Sequence, residues 1–142
     1  MIALILVGAW AGPITPARQH LRRGPNLAAM TSISDEQMRA LLPTSRAYTA
    51  VVLKAGPNKQ AEGAQAIIWE HGRRNFELRA DGVLAVVCPV TDDSEVSGIG
   101  IFALDEEQTR AVMDGDPGVQ AGVFVYDLHP CRGFPGDALP PR

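Results

Sequence analysis

Two helices, each closed by a glycine and each set between apolar strands, constrain the fold of this chain more than any other feature. Residues 61–80 carry apolar positions at helical spacing and end in "ADG", with Gly82 in the turn. "DEEQTRAVMDG" is the second helix: Asp105 caps it, Gln108 stands at N3 to complete a capping box, and Gly115 ends it. Around them, "AYTAVVLKAGPN" (47–58), "VLAVVCPV" (83–90), "GIGIFAL" (98–104) and "AGVFVYDLH" (121–129) read as strands, the first running into a Gly-Pro turn. The order β-α-β-β-α-β is the split βαβ arrangement of α+β ferredoxin-like folds. It predicts a four-stranded antiparallel sheet in the order 4-1-3-2, with both helices on one face. Val and Ile recur on both phases of these strands, so the opposite face is expected to be apolar and to need a cover. A second copy stacked sheet on sheet supplies one, which predicts a homodimer through the open face.

The flanking segments are simpler. "SDEQMRALLP" pairs Ser34 as N-cap with Gln37 at N3, and Pro43 follows, so residues 30–46 read as a short surface helix and a linker. The α+β domain spans 47–130, and the Pro/Gly-rich segment 131–142 is expected to lie extended on the surface. Residues 1–29 differ from the rest: the apolar "MIALILVGAWAG" leads into a stretch that holds Arg18, Arg22 and Arg23 but no acidic residue. The apolar run falls short of the ~20 residues a membrane span needs, and it lacks the basic n-region of a signal peptide. It reads as a loosely attached extension or a start placed too early, Met30 being a natural opening. The alternatives are a secretion signal, with "GAWAG" as its cleavage site, and a packed extra element.

Charge and cysteine content exclude several functions. At 142 residues the chain fits one domain able to bury a core. A net charge of −3 without a Lys/Arg cluster argues against a nucleic-acid partner. Two cysteines, Cys88 and Cys131, make no disulfide framework, and a reducing cytoplasm is the expected location. No GxGxxG follows a strand and no P-loop occurs, which disfavours hydride transfer.

The feature that speaks to function is His71. On a helical wheel, Ala64, Ile68, His71, Asn75 and Leu78 form a stripe about 80° wide, while Arg73, Arg74 and Glu77 point elsewhere, as solvated residues should. The buried stripe thus has a histidine at its centre and an asparagine one turn on. A second line, Trp69, Gly72 and Phe76, lies about 100° round the helix and reads as a packing or subunit contact. His71 is open to two readings, a satisfied structural histidine or a working acid/base. Among the acids, Asp116 stands out in "GDPG" on the connection into the last strand, although Asp-Pro is also ordinary turn chemistry. Tyr48 and Tyr126, on neighbouring strands, either line a pocket or simply pack. Cys88 as a nucleophile is disfavoured, because a cysteine after a buried strand behaves as a small hydrophobe. A metal site from His129, Cys131, His71 and Cys88 is disfavoured too, since the last and second strands occupy opposite sheet edges.

Residues 47–135 resemble the YCII-related (YciI-like) family of small dimeric α+β barrel proteins. The resemblance rests on "VVLKAGPN", on His71 in the first helix, on "DGVLAVVCPVTDD", on "SGIGIFAL" and on "MDGDPGVQAGVFVYDLHP". It implies two sheets pairing as a dimeric α+β barrel, and a His–Asp pair at His71 and Asp116 acting in acid–base catalysis. A dehydrochlorinase activity on a hydroxylated ring is known in that family. Two departures bear on the substrate: Cys88-Pro89 stands where Gly-Pro is usual, and no aromatic follows the proline in "HPCRG". The expectation is a cofactor-independent, metal-free lyase or isomerase for a small cyclic or phenolic substrate. Its substrate-facing residues would be Asn75, Tyr48, Cys88 and Tyr126. The alternative is a non-catalytic dimeric module that binds a metabolite or a protein, with no membrane partner in either case.

Overall fold

In the computed structural model, which describes residues 30–141, the chain runs α1 (Asp35–Leu41), β1 (Arg46–Ala55), α2 (Ala64–Ala80), β2 (Leu84–Pro89), β3 (Val96–Phe102), α3 (Glu106–Asp114), α4 (Pro117–Gln120) and β4 (Phe124–Gly133). The extension read at residues 1–29 lies outside the described residues. Ser34–Arg142 form one compact unit, and everything below concerns it. The sheet order is β2-β3-β1-β4 with every neighbouring pair antiparallel, the ferredoxin-like α+β arrangement that the segment order predicts.

Local chemistry sets the element ends. Ser34 accepts from the Gln37 amide while Gln37 reaches back to the Ser34 N–H, and Asp105 and Gln108 repeat the same reciprocal box at α3. α2 starts three residues later than its periodicity suggests, after Gly63, whose φ of 81° is a left-handed conformation open to glycine. β4 runs further than predicted. Pro130, Cys131, Arg132 and Gly133 pair with Thr49, Tyr48, Ala47 and Arg46, so 131–133 belong to the sheet rather than to an extended tail. A proline is tolerated there because β4 is an edge strand, where the missing N–H costs no ladder bond.

Alternation along β1 assigns the faces. Thr49, Val51 and Leu53 are buried toward the helices, with Phe102, Leu84, Val123 and Phe124, and Ala64 of α2 and Met113 of α3 close the core from above. The other face carries Ala50, Val52, Ile99, Ile101, Val86 and Cys88 toward β2. Near β4 it carries Asp127 and His129, with Lys54 paired to Asp127 at 2.6 Å. It is apolar on one side and charged on the other, which refines the wholly apolar face expected from the strand composition.

One feature of β3 positions the site. Register places Gly98 opposite Leu53 and Gly100 opposite Val51, so both glycines face the helices. A Cβ at Gly98 would come no nearer than 3.4 Å to any neighbour. Space is therefore left between sheet and helix layer where a strand would ordinarily fill it.

Candidate functional site

His71 sits in the second turn of α2 with 9% of its surface exposed, held toward the core by the stripe that Ala64, Ile68 and Leu78 bury. Its Nδ1 lies 2.9 Å from Oδ2 of Asp116, a residue only 1% exposed. The connection after α3 brings the carboxylate there. Gly115 ends α3, Asp116 becomes the N-cap of α4, and Pro117 takes the first helical position, where its missing N–H is not needed. Oδ1 of Asp116 accepts from the N–H of Gly118 at 2.9 Å and of Val119 at 3.2 Å. Gly118 must lack a side chain: a Cβ would stand 2.5 Å from the Phe124 ring and 3.0 Å from Oδ1. The sequence expectation of "DPG" as a simple turn is replaced by a four-residue helix whose cap is the acid itself.

These contacts decide the charge. Burial pushes the Asp116 carboxyl up, but the hydrogen bond and charge of His71, with the two backbone N–H bonds, outweigh it and hold the group below the usual carboxylate range. A carboxylate only accepts, so Nδ1 of His71 carries a proton and donates it to Oδ2. In the neutral ring this leaves the lone pair on Nε2, which accepts from the Asn75 side-chain amide at 2.9 Å, one helical turn on. Asn75 can serve the protonated ring as well, by presenting its carbonyl oxygen instead. The imidazole packs on Phe124 with ring centroids 4.8 Å apart. No buried side-chain nitrogen or oxygen among the described residues lacks a partner.

His71 and Asn75 both line a cavity of about 260 Å³, small for a ligand pocket and sized for a single ring. Leu53, Ile68, Val87, Met113 and Phe124 make its walls, and Gly98 and Gly100 its floor. Gly72 and Phe76 line it too, and Phe76, 65% exposed, continues with Trp69 into an open groove on the outer side of α2.

The other expected site residues are placed differently. Cys88 contributes to the cavity wall, but register pairs it with Ile99 and Val52 on the open sheet face, so its thiol points away from His71. Tyr48, opposite Cys131, belongs to that open face and packs against Gly133. Tyr126 faces the helices, yet its hydroxyl donates to Oδ1 of Asp114 at 2.5 Å. Burial and that bond raise its pKa, so its proton is committed to Asp114. Neither tyrosine lines the cavity. Conversely, Arg74, read from the wheel as solvated, is half-buried: it donates to the Val112 carbonyl at 2.8 Å and stands 3.6 Å from Oδ2 of Asp116. It follows His71 by three residues on the same side of the helix, which was the signal available for it. Phe124 and Gly118 gave no signal of their role, because each depends on the corner formed by α4.

The sheet order and the buried pair define an α+β ferredoxin-like protein with a carboxylate-held histidine beside a small apolar cavity. No family model and no curated protein matches the chain. Among solved structures it is similar to 5-chloro-2-hydroxyhydroquinone dehydrochlorinase from Burkholderia phenoliruptrix in complex with 2,5-dihydroxybenzoquinone. The two are 20% identical, the match covers 58% of this chain and 90% of that one, and the TM-score is 0.41.

Proposed function

We propose that this protein is a cofactor-independent small-molecule enzyme, a lyase or isomerase, in which His71 and Asp116 form the acid/base pair. The observation that carries the reading is the 2.9 Å contact from Nδ1 of His71 to a buried carboxylate, which leaves Nε2 as the basic atom beside a half-open apolar cavity. In an elimination, the Asn75 amide turns away from Nε2, and the freed lone pair takes the proton from a C–H or O–H acidified by a neighbouring carbonyl or ring. The electron pair left behind forms the new double bond as the leaving group departs with its own pair. Asp116 stays ionised and stabilises the imidazolium, which then returns its proton to solvent or to the leaving group. In an isomerisation the same proton goes back to a different carbon. A positioned base of this kind supplies roughly 10²–10⁴ in rate. The resemblance to the YCII-related family points to a small cyclic or phenolic substrate.

The same proposal includes a homodimer through the open sheet face and a cytoplasmic location. Ile99 and Val125 are 44% and 45% exposed there, surface that a second sheet would cover. No helix among the described residues is long and apolar enough to cross a membrane.

A second reading, a dimeric metabolite- or protein-binding module, draws on one observation: both ring nitrogens of His71 already have partners. A screen of halogenated and hydroxylated ring compounds for loss of HX or water, or for isomerisation, separates the two. Turnover by the wild type that disappears in a folded His71→Gln variant supports the enzyme. Ligand binding with no turnover, unaltered in that variant, supports the module.

A further inference from the structure

The loop between β1 and α2 is held more firmly than a connection needs. Gly56 N–H donates to the Val123 carbonyl at 2.8 Å, Asn58 N–H to Gly122 at 2.9 Å, and the Asn58 side chain to Ala121 at 2.8 Å. Gly56 lies so near the Gly122 carbonyl that no side chain fits there. The residue this staple presents is Lys59. Its Nζ donates to Oγ of Ser97 at 2.8 Å and lies 5.9 Å from the centroid of the Phe124 ring, both of which are cavity-lining residues. Ser97 is the extra residue at the β3 bulge, where the register with β1 shifts between Leu53 and Lys54. Lys59 stands outside the cavity lining itself, but the hydroxyl it holds and the ring it approaches both line the cavity, and His71 packs on that same Phe124 ring. Among the described residues, ion pairs engage Arg39, Lys54, Arg73, Arg74 and Arg110, but not Lys59.

A cation held by a hydroxyl at the edge of an apolar cavity, with no carboxylate among the described residues within ion-pair distance, is suited to an anionic ligand group. We propose that Lys59, braced by Ser97, binds an anionic oxygen of the ligand, which is therefore a small organic oxyanion with an apolar ring body, a carboxylate or an ionised phenol. The inference rests on the reading of this cavity as the ligand site. In an elimination the same ammonium would face negative charge gathering on an oxygen conjugated to the reacting carbon. It makes Lys59 a specificity-determining residue, while His71 handles the proton.

The test is an NMR titration of isotope-labelled protein with two anion and neutral pairs, benzoate against benzamide and 4-nitrophenolate at pH 8 against nitrobenzene. At least one anion should saturate, moving the Lys59 side-chain and His71 ring signals together, with its neutral counterpart about tenfold weaker or more. Which anion does so distinguishes carboxylate from phenolate. Lys59→Met should erase the preference and Lys59→Arg retain it. The proposal is overturned if neither anion shifts the Lys59 signals, or if the preference survives in Lys59→Met. In His71→Gln the anion preference should persist at Lys59 even if no turnover is ever found, so failure of the catalytic reading leaves a separate result.

Discussion

Asp116 divides its carboxylate between two tasks: one oxygen caps its own four-residue helix and the other holds His71. Burying a carboxylate costs several kcal/mol, and it is sustained here because Gly118, Val119 and the imidazole donate N–H bonds and the Arg74 guanidinium stands 3.6 Å from Oδ2. The pairing is built into the backbone of α4 rather than left to a flexible side chain.

Asp116→Asn should keep the cap and lose the acceptor that fixes the ring, since the amide can turn its NH₂ toward His71. The ¹⁵N shifts of His71 should report a single tautomer, protonated at Nδ1, in the wild type and a mixture or the reverse tautomer in the variant. Turnover on any substrate found should fall by about 10²-fold or more. An unchanged tautomer would remove Asp116 from its role as holder of the ring.

The acid limb of stability should carry the same signature. The folded Asp116 carboxyl titrates below its unfolded value of about 3.9, so its contribution is complete above that value and is lost as pH falls through the lower, folded one. Thermal melts from pH 7 to pH 2 should show wild-type Tm falling on the acid side. Asp116→Asn should melt lower at pH 7 but with a flatter acid limb, and parallel curves would assign that limb to other groups.

Gly98→Val tests whether the cavity is the ligand site. Its Cβ meets ordinary contacts at 3.4 and 3.9 Å, so the added methyls project into the open space above β3. Tm should change little or rise, while binding of a ring-sized ligand falls by about tenfold or more. Ligand binding that survives intact, measured by calorimetry, would place the site elsewhere.

Ile99→Asp tests the open face. Ile99 lies at the centre of its apolar side, paired with Val52 and Cys88. Light scattering should give a dimer mass for the wild type and a monomer for the variant. A monomeric wild type would leave the face to another partner.

Much of the fold was legible because local signals agreed with one another. Both capping boxes, at Ser34 and Asp105, lie where their side chains do, and alternating strands and helices allow few sheet orders. The buried histidine was legible as a polar residue at the centre of an apolar stripe. Its partner Asp116 follows only from the family resemblance and not from spacing, because the two residues lie 45 positions apart and meet only through α4, whose four residues are too few to show a period. Tyr48 and Tyr126 look equivalent as aromatic residues on adjacent strands. The register of β4 on β1 decides that they face opposite ways, and register is a property of the assembled sheet. Arg74 points away from the stripe on a wheel projection, yet its long side chain crosses the helix surface to Val112.

Asn75 has a consequence for how the buried ring can change its charge. Its amide is one of the few side chains that offers a donor at one end and an acceptor at the other within the same planar outline. When the Nε2 lone pair is replaced by N–H, a half-turn about the terminal bond re-matches the pair without displacing helix, sheet or ring. The proton can enter and leave at the cavity wall with the Asn75 amide alone turning to follow it.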